Sequence, residues 1–138
     1  MGMPDSIEAR MFYRCAKLRF DDGQILLKAA HTTGAVYLAG YGIECILKAL
    51  ILSILAPAPQ AEMLKSFRGT KAHDYEWLRT RYFENGGPRF PGEIAEAFAL
   101  VNGWSTEMRY LPGSIKASEA EGFLAAAHNI IDWVDGRL

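Results

Sequence analysis

Apolar residues run almost unbroken through 31–56, HTTGAVYLAGYGIECILKALILSILA, and this stretch predicts one long helix. At helical spacing it has three flanks. Ala35, Ala39, Gly42 and Ala49 make a side of small residues that lets another helix come close. Val36, Ile43, Leu47, Leu50 and Ile54 make a bulky side suited to a core. Opposite the small side, Tyr37, Tyr41, Glu44 and Lys48 fall at i, i+4, i+7 and i+11 as a narrow polar row. A helix so apolar all round is normally buried, and its polar row then needs partners.

The length would also span a bilayer. Glu44 and Lys48 argue against that, because each charge near mid-helix costs about 2.5–3.5 kcal/mol on insertion scales. Paired at i,i+4, they fit the centre of a bundle better.

Four further helices are predicted around it. Over 5–30, Ile7, Met11, Leu18, Ile25 and Ala29 mark a stripe expected to face inward, with Arg14 close to its centre and Asp22 at its edge. Gly23 interrupts that helix at a cost of about 1 kcal/mol relative to Ala. A break at His31-Thr32-Thr33 returns the chain as an antiparallel neighbour. Pro57-Ala58-Pro59 stops the central helix, and 60–72 reads as a connection with one helical turn near Met63–Phe67.

Asp74 can cap a helix to about residue 83, anchored by Trp77, Leu78 and Tyr82. Pro91 suits the first turn of a short helix with Ile94, Ala97, Phe98 and Val101 on one face. After the polar, aromatic loop WSTEMRYLPGS, Ser118-x-x-Glu121 reads as a capping box. It opens a last helix striped by Ala120, Phe123, Leu124, Ala127, Ile131, Val134 and Leu138. No segment alternates with period two. The expected fold is all-α, an up-and-down bundle of three long helices and two shorter ones in one domain over 1–138.

Composition narrows the function classes. Of 138 residues, 50% are hydrophobic and 22% charged, which excludes global disorder. A net charge of −1 gives no global drive toward nucleic acid or membrane. Lys65, Arg68, Lys71, Arg79, Arg81 and Arg89 gather mid-chain, diluted by Asp74, Glu76 and Glu84 into a solvated face. Cys15 and Cys45 form no spaced pair, and MGMPDSIEAR carries no apolar leader, so a reduced cytoplasmic protein is expected. His31, His73 and His128 are scattered, which predicts no metal site and no cofactor.

Three stretches together carry a resemblance: AVYLAGYGIECILKAL, then AHDYEWL, then STEMRYLPG before the final amphipathic helix. In this order and spacing the chain resembles a HEPN domain, from about Glu8 to Val134. The resemblance implies a helical bundle that usually dimerises, found beside minimal nucleotidyltransferases and in prokaryotic toxin and defence systems. Many such domains are metal-independent ribonucleases with an Arg-x4-6-His motif meeting its copy across the dimer. Others lack the motif and are binding or accessory modules.

Arg109 is the residue expected to correspond to the motif arginine, yet YLPGSIKASEAEG after it holds no histidine. Cleavage of this kind needs a base for the ribose 2′-hydroxyl and a cation for the phosphorane, and Arg109 supplies only the second. Arg68 and His73 satisfy the spacing but precede the third predicted helix, where the motif does not belong. His73 then either satisfies backbone groups at that helix start or serves as a base brought near Arg109 by folding.

Glu44 and Lys48 read first as a buried ion pair fixing register, extended to Asp22 or Arg109 across the bundle. Their second reading is a nucleotide pocket in which Tyr41 or Tyr110 stacks on a base. Trp104 and Tyr110 flank Arg109, an arrangement that stitches a loop down or holds base and phosphate. The expectation is therefore a dimeric binding or accessory module for nucleotide or RNA transactions, of the toxin–antitoxin or nucleotidyltransferase-partner type. Its ligand residues would be Tyr41, Glu44, Lys48, Tyr110 and Asp22. The alternative is a ribonuclease using Arg109 with His73 or His128.

Overall fold

The structure is a computed structural model that describes residues 4–138. Its elements are α1 (Ile7–Lys28), α2 (Thr32–Ser53), α3 (Pro57–Ser66), α4 (Tyr75–Glu84), α5 (Gly92–Val101) and α6 (Ala117–Asp135). Short 3₁₀ turns lie at Thr70–His73 and Thr106–Tyr110. Among the described residues there is no strand, and the all-α expectation holds.

α2 is the axis of the bundle. Ile43, Ile46, Leu47, Ile51 and Leu52 have no exposed surface, and 78% of its most apolar window is buried by the other helices. An apolar face of this size is stabilised by removing it from water, at roughly 25 cal/mol per Å². Burial inside the bundle accounts for the length and hydropathy that would also suit a membrane span.

The pairing of α1 with α2 reverses one expectation. Ile7, Met11, Leu18 and Ile25 face outward, 79, 53, 55 and 64% exposed, and Ala29 is exposed as well. The buried face of α1 is instead Ala9, Ala16, Phe20 and Gly23. Small residues win because the two helices approach at backbone contact. A Cβ on Gly23 would sit 2.9 Å from the Ala35 carbonyl oxygen, and one on Gly42 would sit 3.1 Å from that of Ala16. The small side of α2 therefore receives α1, as its spacing predicts, and Ile7, Met11, Leu18 and Ile25 are turned away, while Phe20 packs beside the close contact. Arg14 is exposed for the same reason.

Two other boundaries shift. Residues 57–66 form a full helix rather than a connection with one turn. Pro57 and Pro59 cannot donate backbone hydrogen bonds, which rules them out of the end of α2 but suits the first turn of α3. α6 starts at Ala117 with Lys116 in the capping position and no side-chain cap, so the Ser118 capping box does not form. Ile115 is held from both sides: its carbonyl accepts from the Thr32 hydroxyl (2.6 Å) and its N–H donates to Thr33 Oγ1 (3.1 Å). That anchor sets where the chain enters α6. Asp74 caps α4 as expected, accepting from the Glu76 N–H at 2.9 Å.

Candidate functional site

The polar row of α2 lies where α1, the 70–73 turn and the loop before α6 converge. Glu44 and Lys48 are 3 and 5% exposed, and the Lys48 ammonium donates to Glu44 Oε2 at 2.8 Å. Phe12 from α1 and Phe67 after α3 close over the same ammonium, with ring centroids at 5.6 and 5.4 Å. Ring faces attract a cation, and stripping water from it strengthens the attraction. The second carboxylate oxygen of Glu44 reaches Nδ1 of His73 at 2.9 Å.

His73 is positioned by its turn. Ala72 is fully buried beside it, and Asp74 starts α4 immediately after. The imidazole is left half-exposed, its Nδ1 edge on the buried carboxylate. A carboxylate only accepts, so the proton of the neutral ring belongs on Nδ1 and Nε2 keeps its lone pair. Ring orientation and tautomer are thus set by Glu44, the arrangement a general base requires, and only a ring that gains a second proton donates from Nε2 to a phosphate.

Tyr41 packs edge-on against His73 with centroids 6.3 Å apart, and its hydroxyl lies 3.3 Å from that of Tyr37. Burial, then the hydrogen bond with Tyr37, pushes the Tyr41 phenol up, so it stays neutral. Trp104 forms the wall behind both tyrosines. It stacks on Tyr75 at 5.3 Å, and its indole N–H donates to the Tyr37 carbonyl at 3.3 Å. Gly40 makes the room, since a Cβ there would overlap the indole ring. The Tyr75 hydroxyl donates to the Gly40 carbonyl at 2.8 Å, and burial holds that phenol protonated. Close packing, not phosphate contact, explains this glycine.

Trp104 at one end and Ile115 at the other pin the intervening loop, which carries Arg109 and Tyr110 on the 106–110 turn. The Arg109 guanidinium lies 4.9 Å from the Tyr110 ring centroid, and both side chains are exposed. Contact with the hydroxyls of Tyr110 and then Tyr37 raises its pKa above the ordinary arginine value. Its charge is also felt at Tyr41. Next to His73, an open groove of about 430 Å³ is lined by Thr70, Asp74, Asn102, Trp104, Ser105 and Thr106.

Folding thus brings Tyr41, Glu44, Lys48 and His73 into one connected network, with Arg109 and Tyr110 at its rim. Three sequence candidates lie elsewhere. Asp22 accepts from Arg19 at 3.1 Å on α1 and does not extend the Glu44–Lys48 pair. His128 is exposed on α6 against Phe20, at 5.9 Å between ring centroids. Arg68 is exposed ahead of the 70–73 turn. The partner of Glu44 is His73, in place of the Asp22 or Arg109 expected from the sequence. Backbone capping by His73 is not what the ring does. Tyr37 has a larger part than its sequence position suggests, its one signal being the row it shares with Tyr41, while Trp104 ties down the Arg109 loop as its place beside Arg109 suggested.

Chemically, the arrangement offers one oriented imidazole, one exposed guanidinium and an aromatic wall. Among the described residues no three His, Cys, Asp or Glu side chains are grouped to hold a metal ion. A family model for the HEPN domain matches residues 9–137. No curated protein and no solved structure matches the chain. The match covers nearly the whole all-helical chain, and the protein belongs to the HEPN domain family.

Proposed function

We propose that this chain is a cytoplasmic binding or accessory module that holds a nucleotide or RNA phosphate on the face formed by Arg109, Tyr110, Tyr41 and His73. The observation that carries this reading is the double use of Glu44, whose carboxylate takes Lys48 on one oxygen and His73 on the other. Glu44 and Lys48 act from beneath as the fixed support, being too buried to touch a large ligand. Arg109 supplies the phosphate contact, and Tyr110 or Tyr41 a ring for a base. Fluorescence anisotropy with labelled single-stranded RNA and with nucleotides tests it. Binding weakened at least about tenfold by Arg109→Ala supports the reading, since the guanidinium supplies the charge-assisted hydrogen bonds to phosphate. No binding to any of these probes overturns it.

A second reading rests on the Nε2 of His73, which Glu44 orients as a base would be. In it the protein is a metal-independent endoribonuclease, with His73 activating the 2′-hydroxyl and Arg109 stabilising the phosphorane. RNA cleavage in EDTA, lost in His73→Ala and Arg109→Ala but kept in His128→Ala, supports it. Intact RNA after prolonged incubation removes it. Association with a nucleotidyltransferase-type partner belongs to the first reading, and co-purification from the native source tests that association.

A further inference from the structure

The groove beside His73 is acidic where a phosphate site would be basic. Asp74 and Glu76 line it, and among the described residues no lysine or arginine does. Asp74 uses one oxygen to accept from the Glu76 N–H at 2.9 Å, which leaves Oδ2 free. The Glu76 carboxylate is exposed, with no hydrogen bond or ion pair among the described residues. Arg79, one turn further along α4, lies over the Phe98 ring at 4.7 Å and donates to Asn102 Oδ1 at 3.5 Å instead.

The imidazole agrees with the carboxylates. Its Nδ1 proton goes to Glu44, so Nε2 is an acceptor as well. A wall of acceptors repels phosphate and suits a ligand rich in N–H groups. With a volume of about 430 Å³ and Trp104 as an apolar side, the groove has room for a nucleobase. Phosphate has its own place at the mouth. Thr106 lines the groove, and Arg109 follows three residues later on the same 3₁₀ turn. Residues at that spacing lie on one side of such a turn, which sets the exposed guanidinium on the groove side of its loop.

The donors then decide between bases. Guanine carries two adjacent donors on its pairing edge, N1–H and N2–H, which match the two oxygens of one carboxylate. Adenine and cytosine offer one amine beside an acceptor nitrogen, and uracil offers one N–H between two carbonyls. In each case an acceptor would face the carboxylate. The Ser105 oxygen accepts from the Glu107 N–H at 3.0 Å, so its hydroxyl proton is free for guanine O6.

We infer that this groove takes the base of a guanine nucleotide, with Glu76 reading N1–H and N2–H while Arg109 holds the phosphate at the mouth. The inference rests on the proposed ligand face and names what that face selects. Tyr110, exposed beyond Arg109, is left to a neighbouring base when the nucleotide belongs to an RNA strand.

Calorimetric titration of the full chain with GMP, AMP, CMP, UMP and inosine 5′-monophosphate reads the selection, with the RNA pentamers UUGUU, UUAUU and UUUUU as a second set. GMP should bind at least about tenfold tighter than AMP, CMP and UMP. The inosine nucleotide lacks only the N2 amine and should bind about tenfold more weakly than GMP. Glu76→Gln should bring GMP to within about twofold of AMP, because an amide has one acceptor where the carboxylate has two. Helix content should be unchanged, since Glu76 is exposed. Arg109→Ala should weaken all the nucleotides alike and keep the order among them.

The pentamers should show the same guanine preference. UUGUU binding tighter than GMP makes a strand the source of the base, and the reverse makes it a free nucleotide; both support the inference. Equal affinity for the four common nucleotides, an inosine nucleotide as good as GMP, or a preference undiminished in Glu76→Gln overturns it and leaves the proposed ligand face standing. No binding of any nucleotide or pentamer overturns both.

Discussion

His73 Nδ1 and Glu44 Oε1 lie 2.9 Å apart, joining a half-exposed imidazole to a carboxylate buried in the central helix. The same carboxylate holds the Lys48 ammonium. One buried acid thereby serves both the register of α2 and the pose of the groove histidine. The two roles can be separated by substitution.

Removing one charge of the buried pair strands the other. Lys48→Ala should lower stability by about 3–5 kcal/mol, seen as a large fall in urea midpoint. Glu44→Gln combined with Lys48→Met leaves no uncompensated charge and should recover much of that loss. The double variant should still weaken ligand binding, because an amide in place of the carboxylate no longer fixes the tautomer and pose of the His73 ring. Equal loss of stability in the two variants would contradict a pair of this kind.

Gly40→Ala should displace Trp104, whose indole would overlap the new methyl. Overpacking of this kind costs about 1–3 kcal/mol. The indole would leave its stack on Tyr75. A red shift of tryptophan emission and a lower melting temperature are expected. Binding through the Arg109 loop should weaken along with them, since Trp104 is one of its two anchors.

Asp135 on α6 accepts from the Tyr13 hydroxyl at 2.9 Å and from Lys17 at 3.0 Å. Burial works against its charge, but the hydrogen bonds from Lys17 and Tyr13 outweigh that and hold its pKa below the usual 3.8. A carboxyl with a depressed folded pKa contributes stability above its unfolded pKa, and loses it as pH falls through the folded one. Lys17 is 42% exposed, so the contribution is small, under about 1 kcal/mol. Urea midpoints of the wild type and Asp135→Asn should differ at about pH 6 and converge near about pH 2. A difference that persists in acid would assign the effect to packing.

Ala30, between α1 and α2, has φ of +66°, in the left-handed region. There its Cβ crowds the following carbonyl, at roughly 1 kcal/mol. Ala30→Gly should therefore raise the melting temperature slightly, in contrast to glycine at most positions. A fall on substitution would show that the entropy of the unfolded chain outweighs the local strain.

Much of the bundle was legible as pattern. The all-α class, the central helix with its small, bulky and polar flanks, and the inward stripes of α5 and α6 all follow from apolar spacing. The α1 stripe was legible as a stripe but not as to its direction. Hydrophobicity alone points bulky residues inward, whereas the backbone-close contact of Gly23 and Gly42 admits only small ones. A start signal for α3 was hidden because prolines end one helix and begin the next.

Spacing along the chain determined that Tyr37, Tyr41, Glu44 and Lys48 share one face and must be satisfied together, because helical geometry is local. It could not name the partner of Glu44, for His73 lies 29 residues away and arrives there only through the turn that Ala72 anchors in the core. Nor could it place Arg109 on the network's rim or His128 and Asp22 away from it. Those placements depend on which helices pack in contact, and that is decided by the shapes of buried surfaces.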